Sequence, residues 1–332
     1  MIFMEKSIFF DFAFYCYFLA VFLYAIWLFK KNRILEYICT IILLAGACSH
    51  LSFIVQRWMI AQYPPFSNTF ETLVFFSWVL VIQYIVIEAI FKYRFLGTAV
   101  SFVALIILAY STFFPSAVRP LMPALRNNFW LTVHVILCFI SYAAFAMSFL
   151  AAIFHLLQKR SWHQWIALFL ICLLLSGLVV GYTTAYLYNS GKWNIEWSLA
   201  VVVQFIFGTL VFSSLLWFPC FWIVSQKEWK TSEETLKKFV YGSITFGFPF
   251  LTMGILSGSV WANEAWGNYW SWDPKETWSL ITWLIYAIYL HIRYRNGWQG
   301  VTMSWLSVIG FLSVLFTYFG VNYLLSGLHS YA

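Results

Sequence analysis

Charge is the scarcest property of this sequence. Asp, Glu, Lys and Arg make up 9% of its 332 residues, whereas 63% are apolar and the mean hydropathy is +0.81. A water-soluble domain carries roughly 25% charged residues, so this balance excludes one. The longest polar run, Ser225 to Lys238, is too short to fold as an aqueous domain. We therefore expect a chain that lies almost entirely within a membrane.

Several chemical motifs are also missing. None of the six cysteines forms a Cys-x-x-Cys pair, and most lie inside apolar runs, which is typical of inert, buried thiols. The sequence has no Gly-rich phosphate loop, no triad pattern and no evident cleavable signal peptide. Its formal charge of +7 does not indicate nucleic-acid binding, because basic residues of membrane proteins set their orientation.

Apolar runs of about twenty residues, long enough to cross a bilayer as helices, recur from end to end. They predict an all-α, polytopic integral membrane helical bundle of about ten transmembrane helices, with residues 1–332 forming a single membrane domain. The expected spans are residues 8–29, 34–56, 70–91, 95–114, 129–157, 164–188, 195–224, 239–260, 274–292 and 301–325.

The basic residues of the connections predict the orientation. Thirteen of the 19 Lys and Arg residues fall on one set of alternate connections and six on the other. Connections rich in positive charge stay in the cytoplasm, so both termini are expected to be extracytoplasmic. For the membrane itself, we favour a bacterial cytoplasmic (inner) membrane over a thylakoid membrane.

Residues 261–278, here called the tryptophan-rich segment, are expected on the same outer side. They contain five tryptophans and one tyrosine: Trp261, Trp266, Tyr269, Trp270, Trp272 and Trp278. An interfacial belt needs only one or two such residues per helix end. A continuous aromatic shelf suits a large, flat, apolar ligand better.

Within this segment, Asp273-Pro274-Lys275-Glu276 predicts the start of a helix. Asp273 is placed as N-cap, Pro274 as the first helical residue and Glu276 as the capping-box partner. Asp273 is therefore a candidate both for a structural cap and for direct ligand contact.

Placement on the predicted topology separates the six histidines. His134 and His329 both fall on the side of the tryptophan-rich segment, where two neutral imidazoles could ligate a haem iron axially. His291 lies near the cytoplasmic end of its span, and it could serve a second haem site or be an interfacial histidine beside Arg293. Its co-ligand is open, because His50 is expected about 24 Å deep from that side at 1.5 Å per residue.

The pattern Trp266-Gly-x-Tyr-Trp-x-Trp-Asp-Pro-Lys-Glu-Thr-Trp278 resembles the tryptophan-rich WWD signature of the haem-handling protein superfamily. The chain most resembles the CcsA/ResC family of system II cytochrome c biogenesis. Further similarity lies in Pro65-Phe-Ser-Asn68, His134-Val with Ser141-Tyr-Ala, Tyr289-Leu-His291 and Gly327-Leu-His-Ser-Tyr331. The similarity extends over nearly the whole chain from residue 60 onward.

This resemblance implies a chain that binds haem b without covalent attachment and presents it at the outer membrane face. It implies a separate CcsB/ResB-type membrane partner, with which the chain supports haem attachment to the Cys-x-x-Cys-His motif of apocytochrome c. Thiol-reducing proteins would contribute indirectly. The chain would be a component of a holocytochrome c synthase complex, with no catalytic residue of its own assigned. The expected haem-binding residues are His134, His329, His291, Trp261, Trp266, Tyr269, Trp270, Trp272, Asp273 and Trp278.

Two other functional classes are considered. A membrane electron carrier of cytochrome b type requires two pairs of histidines at matched depths, which the depth estimate disfavours. A secondary transporter predicts interrupted spans in two corresponding halves. Pro249 and Gly254 interrupt one span, but the first half of the sequence holds no matching interruption.

Overall fold

A computed structural model describes residues 7–118, 120, 121, 125, 128–159, 161–189, 203, 206–211, 213, 214, 231–321, 325 and 327. The main helices of these residues are α1 Ile8–Lys30, α2 Arg33–Ala61, α3 Thr69–Phe91, α4 Gly97–Ser111, α5 Asn128–Gln158, α6 Trp162–Asn189, α7 Glu233–Trp266, α8 Pro274–Asn296 and α9 Val301–Leu315. A short 3₁₀ helix, Arg94–Leu96, precedes α4, and a π-helical turn, Phe316–Gly320, follows α9.

Eight helical segments within the described residues are long and apolar enough to cross a membrane. This confirms the all-α polytopic fold. Most of the expected span 195–224 lies outside the described residues; residues 203, 206–211, 213 and 214, which are described, are helical. The expected span 274–292 is present as α8, a helix of 23 residues, but it is not among the eight. The reason is its composition, because charged residues occupy both its ends and Trp, Tyr and Thr occupy much of its middle.

The helix ends follow local capping chemistry. Ser7, Asn32, Asn68, Ser232 and Asp273 each precede a helix and accept a backbone N–H with a side-chain oxygen, which satisfies donors that the first turn leaves open. The helix α7 continues for 34 residues through its internal proline. The interruption expected at Pro249 and Gly254 is therefore not a break in the helix.

The chain forms two compact units. One contains Met1–Ala152 and Ser232–Ala332, and the other contains Ile153–Thr231. In the first unit, α1 packs on α2 and α4, α3 packs on α4, and α8 packs on α7 and α9. In the second, the Gln158 amide donates to the carbonyl of Thr231 at 2.9 Å. The single membrane domain expected for residues 1–332 stays a prediction.

Glycines bring α5 and α7 into close contact within the first unit. A Cβ built on Gly254 would lie 2.7 Å from the Cys138 sulfur, and one built on Gly247 would lie 2.8 Å from the Phe145 ring. Small residues at such spacings allow membrane helices to approach closely. The contact continues to the end of α7, where the tryptophan-rich segment begins.

Candidate functional site

A cavity of about 190 Å³ lies beside the tryptophan-rich segment. Its walls come from seven parts of the first unit: the α2–α3 connection with the start of α3, Leu125 before α5, the N-terminal half of α5, the C-terminal half of α7, the following loop, the start of α8 and the π-helical turn. These parts meet at one end of the unit, as the alternating topology predicts. Whether this end faces outward stays a prediction based on loop charge.

His134, on α5, is the histidine of this cavity. Its Nδ1 lies 2.7 Å from the carbonyl oxygen of Gly254 on α7. Because a carbonyl oxygen can only accept, Nδ1 carries the proton. The neutral ring then keeps its lone pair on Nε2. An outer hydrogen bond of this kind is typical of histidines that bind metals.

Trp261 packs beside His134. The two ring centroids are 6.2 Å apart and the planes differ by 17°. Trp261 is 2% exposed, and the Trp266 ring meets it edge-on at 4.9 Å. Leu125 and Leu131 complete this apolar cluster. Trp261 lines the cavity, whereas Trp266 packs against Trp261 and is not part of the cavity wall.

The aromatic side chains of the loop between α7 and α8 have different surroundings. Tyr269 and Trp270 line the cavity. Trp272 is 69% exposed and has a left-handed backbone at φ 60°. Its ring meets the Trp270 ring at 5.8 Å and 88°. The two tryptophans therefore face different surroundings although only Ser271 separates them.

Glu276 holds this loop against the start of α8. Its Oε2 accepts the Ser271 N–H at 2.7 Å, the Ser271 hydroxyl at 3.2 Å and the Asp273 N–H at 3.3 Å. The Asp273 carboxylate accepts the Lys275 N–H at 3.0 Å. It also accepts the backbone N–H of Glu276, which completes the predicted capping box. The cap confirms a structural role for Asp273, which is buried and is not part of the cavity wall.

Gly327, near the C-terminus, lies against this helix start. A Cβ built on Gly327 would contact the Asp273 carboxylate and the Pro274 ring. His329, two residues further along the sequence, lies outside the described residues. Gly327 itself is therefore next to the tryptophan-rich segment.

Trp278 packs away from the cavity. Its ring lies 4.1 Å from that of Phe316, at the start of the π-helical turn. Its carbonyl accepts the hydroxyls of Thr282 and Thr317. Trp278 therefore supports the turn that carries Tyr318 into the cavity, where the Tyr318 hydroxyl lies 2.5 Å from that of Thr72.

The predicted topology places Arg57 among the outward-facing cations, either as a partner for a haem propionate or as a solvated loop charge, but the structure buries it. It is 1% exposed and is 2.7 Å from Glu71, itself 1% exposed. Arg57 also donates to the carbonyl of Ser116 at 2.7 Å. Glu71 in turn accepts the N–H and hydroxyl of Ser67, each at 2.7 Å. This ion pair therefore holds the Ser67 wall of the cavity.

Lys275 is the cation that lines the cavity among the described residues. The predicted outer connections hold three further cations, each expected as a partner for a haem propionate or as a solvated loop charge. They are Arg119, Arg126 and Lys192, which lie outside the described part of the chain. Lys275 sits in the first turn of α8, where the helix dipole also favours an anion.

The remaining described histidines are elsewhere. His291 is exposed near the end of α8. His50 is completely buried on α2, and its Nδ1 lies 3.1 Å from the Tyr17 hydroxyl on α1. His163 is exposed at the start of α6, in the second unit. His155 is buried near the end of α5. None of these four histidines lines the cavity around His134.

Sequence reasoning missed several residues of the cavity. Cys138, Thr72 and Tyr318 line it, and Gly258 packs against His134. The pattern Gly254-x-x-x-Gly258 could have indicated a close helix contact. A π-helical turn has no comparable sequence signal, so the inward position of Tyr318 was not predictable.

Comparison with known proteins adds an independent line of evidence. Residues 66–329 match the family model described as cytochrome C assembly protein. A protein of Synechococcus elongatus called cytochrome c biogenesis protein CcsA is 39% identical over 279 residues, covering 83% of this chain and 81% of its own length. Proteins of the same name from Guillardia theta and Cyanophora paradoxa are each 36% identical. The first covers 86% of this chain and 82% of its own length, and the second covers 96% and 95%. The chain therefore belongs to the cytochrome c assembly protein family.

Proposed function

We propose that this chain is the haem-handling subunit of a cytochrome c biogenesis system. In this role it binds haem b non-covalently and holds it at the extracytoplasmic face. With a CcsB/ResB-type membrane protein, it supports the attachment of haem to apocytochrome c. The family match and the shared name of its relatives support a role in cytochrome c biogenesis.

The single observation that carries this proposal is the setting of His134. Its ring lines a cavity shared with Trp261, Tyr269 and Trp270, and its Nδ1–H is committed to the Gly254 carbonyl. Nε2 is thereby the atom with a lone pair for iron. Aromatic side chains and a single well-defined imidazole suit a flat, apolar macrocycle with a central metal.

The other residues have separate roles in this proposal. Trp261, Tyr269 and Trp270 cover the macrocycle, while Trp266, Trp272, Asp273 and Trp278 shape and present the surrounding segment. His329 supplies the second axial ligand from the C-terminal tail, a role supported by the closeness of Gly327 to Asp273. Lys275 pairs with a propionate, because this cationic residue lines the same cavity.

Haem attachment places the remaining chemistry on the acceptor. Each thioether forms when a cysteine thiol of the Cys-x-x-Cys-His motif adds across a vinyl group of haem. This chain contains no such motif, and thiol-reducing proteins act indirectly by keeping the acceptor cysteines reduced. Its contribution is to fix the macrocycle so that the vinyl groups meet the thiols in one orientation. The histidine of the acceptor then replaces one of the two axial histidines, which promotes release.

His291 is proposed to serve a second haem site on the entry route, with its co-ligand supplied by the partner subunit. Its exposed position on α8 leaves its ring open to such a partner. Haem analysis of His291→Ala tests this separately. We expect that variant to keep haem at the His134 site in the isolated chain, but to mature less cytochrome c.

Purification with and without the partner, followed by absorption spectroscopy and a pyridine haemochrome assay, tests the main proposal. We expect a Soret band and the pyridine haemochrome spectrum of haem b. We also expect acid to extract this haem from the protein, because it is not covalently attached. Folded protein from haem-replete cells without a Soret band would contradict the proposal. Rapid reduction of the bound haem by a quinol would instead favour an electron carrier.

A further inference from the structure

Gly258, on α7, lies directly against the ring of His134. A Cβ built on Gly258 would be 2.5 Å from Nδ1 of His134, 2.7 Å from Cε1 and 3.3 Å from Cγ. Real Cβ atoms do not approach other heavy atoms this closely, and the atoms they would meet belong to a planar ring with no flexible end. The absence of a side chain at position 258 therefore makes room for the imidazole.

The atom nearest to Gly258 is also the atom that fixes the tautomer. Nδ1 donates to the Gly254 carbonyl at 2.7 Å, one helical turn before Gly258. The His134 ring also packs nearly parallel to the ring of Trp261. Gly254, Gly258 and Trp261 thus form one face of α7 that determines the proton position, the location and the plane of the His134 ring.

We propose that Gly258 is a positioning residue for haem ligation, acting through the His134 ring rather than through helix packing alone. The proposal rests on the haem-binding function proposed above. A methyl group at position 258 pushes Nδ1 away from the Gly254 carbonyl. The imidazole then loses the hydrogen bond from its Nδ1–H, so Nε2 becomes a weaker electron-pair donor to iron. The ring also tilts away from its near-parallel packing on Trp261.

The test compares Gly258→Ala with Gly242→Ala in the full-length protein, purified from haem-replete cells. Gly242 is on the same helix, and among the described residues no heavy atom lies within 4 Å of a Cβ built there. We expect Gly258→Ala to lose haem roughly 10–100-fold more readily, the range typical of outer-shell changes at metal-binding histidines. Its remaining haem should show an altered Soret band and a higher midpoint potential. Gly242→Ala should match the wild type in all three measurements.

A double-mutant cycle separates ring positioning from helix packing. In a His134→Gly background supplied with imidazole, the ligand is no longer tied to α5 and can shift away from position 258. Adding Gly258→Ala to that background should then leave haem binding unchanged. If Gly258→Ala reduced haem binding equally in the wild-type background and in the His134→Gly background with imidazole, the proposal would be overturned. If Gly258→Ala alone fails to accumulate, His134→Gly/Gly258→Ala should accumulate again, because the ring that the methyl group meets is gone. Failure of that double variant would also overturn the proposal.

The two proposals fail in different ways. Haem-free wild-type protein would contradict the proposed function itself. Haem-loaded wild-type protein whose spectrum, potential and haem retention are unaffected by Gly258→Ala would contradict the positioning role of Gly258 and leave haem binding by His134 intact.

Discussion

At the scale of single residues, the separation of His134 from the other described histidines has direct consequences. His134 shares its cavity with aromatic side chains, whereas His163 is exposed on a different unit of the chain. This difference predicts unequal effects of their removal, although both are histidines near a helix start.

We expect His134→Ala to abolish cytochrome c maturation, and His329→Ala to do the same if the tail supplies the second ligand. Loss of a ligand should cost more than the roughly 10–100-fold typical of an outer-shell partner. Added imidazole should restore part of the maturation, because it can enter the space left by the ring. Haem staining of the mature cytochrome measures this effect.

His163→Ala is the matched control, and it should mature cytochrome c at the wild-type level. A defect in His163→Ala equal to that of His134→Ala would show that the histidine roles are assigned incorrectly. Immunoblots of the membrane fraction must show equal amounts of each variant for the comparison to hold.

Trp270 and Trp272 form a second matched pair. Trp270 lines the cavity and Trp272 is 69% exposed. Removing the Trp270 ring takes away up to about 200 Å² of apolar contact, or about 3 kcal/mol. We expect haem per mole of folded protein to fall in the order wild type, Trp270→Phe, Trp270→Ala, and to fall less in Trp272→Ala than in Trp270→Ala. A constant ratio in both Ala variants would contradict haem contact by this segment.

At the scale of helices and connections, the buried ion pair of α2 and α3 sets the shape of one cavity wall. Arg57 and Glu71 are each 1% exposed, and Glu71 also binds Ser67. Removing one partner of a buried pair leaves an uncompensated charge and costs about 3–5 kcal/mol, whereas replacing both by apolar residues is often nearly neutral.

We therefore expect Arg57→Met to lower the unfolding midpoint strongly in detergent and Arg57→Met/Glu71→Leu to recover most of it. The double variant should still retain less haem than the wild type, because no carboxylate then holds Ser67. Denaturant titration followed by tryptophan fluorescence measures the first effect and haem content measures the second. Equal stability of the single and double variants would contradict a paired buried charge.

These elements also show what the sequence can and cannot predict. Long apolar runs predicted the helices, and Asp273 with Glu276 predicted the start of α8, because both depend on neighbours close in sequence. Of the two alternatives for Arg57, the solvated loop charge was wrong. The side chain is buried against Glu71, which lies 14 residues away on the next helix. Trp270 lines the cavity and Trp272 is exposed, and this difference accompanies a left-handed backbone at Trp272, which a sequence pattern does not reveal.

At the scale of the whole molecule, function depends on which side of the membrane the cavity faces. The described connections around the cavity share one end of the first unit, and α8 runs from this end to a terminus that carries Arg293 and Arg295. Basic residues of that kind are retained in the cytoplasm. The cavity is therefore predicted to open on the opposite, extracytoplasmic face, where apocytochrome c meets haem.

Cysteine labelling at the two ends of α8 tests this orientation. In a background without the six native cysteines that still matures cytochrome c, Ser271→Cys places a thiol on the exposed loop beside the cavity, and Tyr294→Cys places one on a side chain that is 89% exposed at the other end. We expect a membrane-impermeant maleimide to label Ser271→Cys in intact cells and Tyr294→Cys only after permeabilisation. The reverse labelling pattern would show that the cavity faces the cytoplasm. Haem held there could not meet an apocytochrome on the outer face, so the proposed presentation step would be wrong even if the chain binds haem through His134.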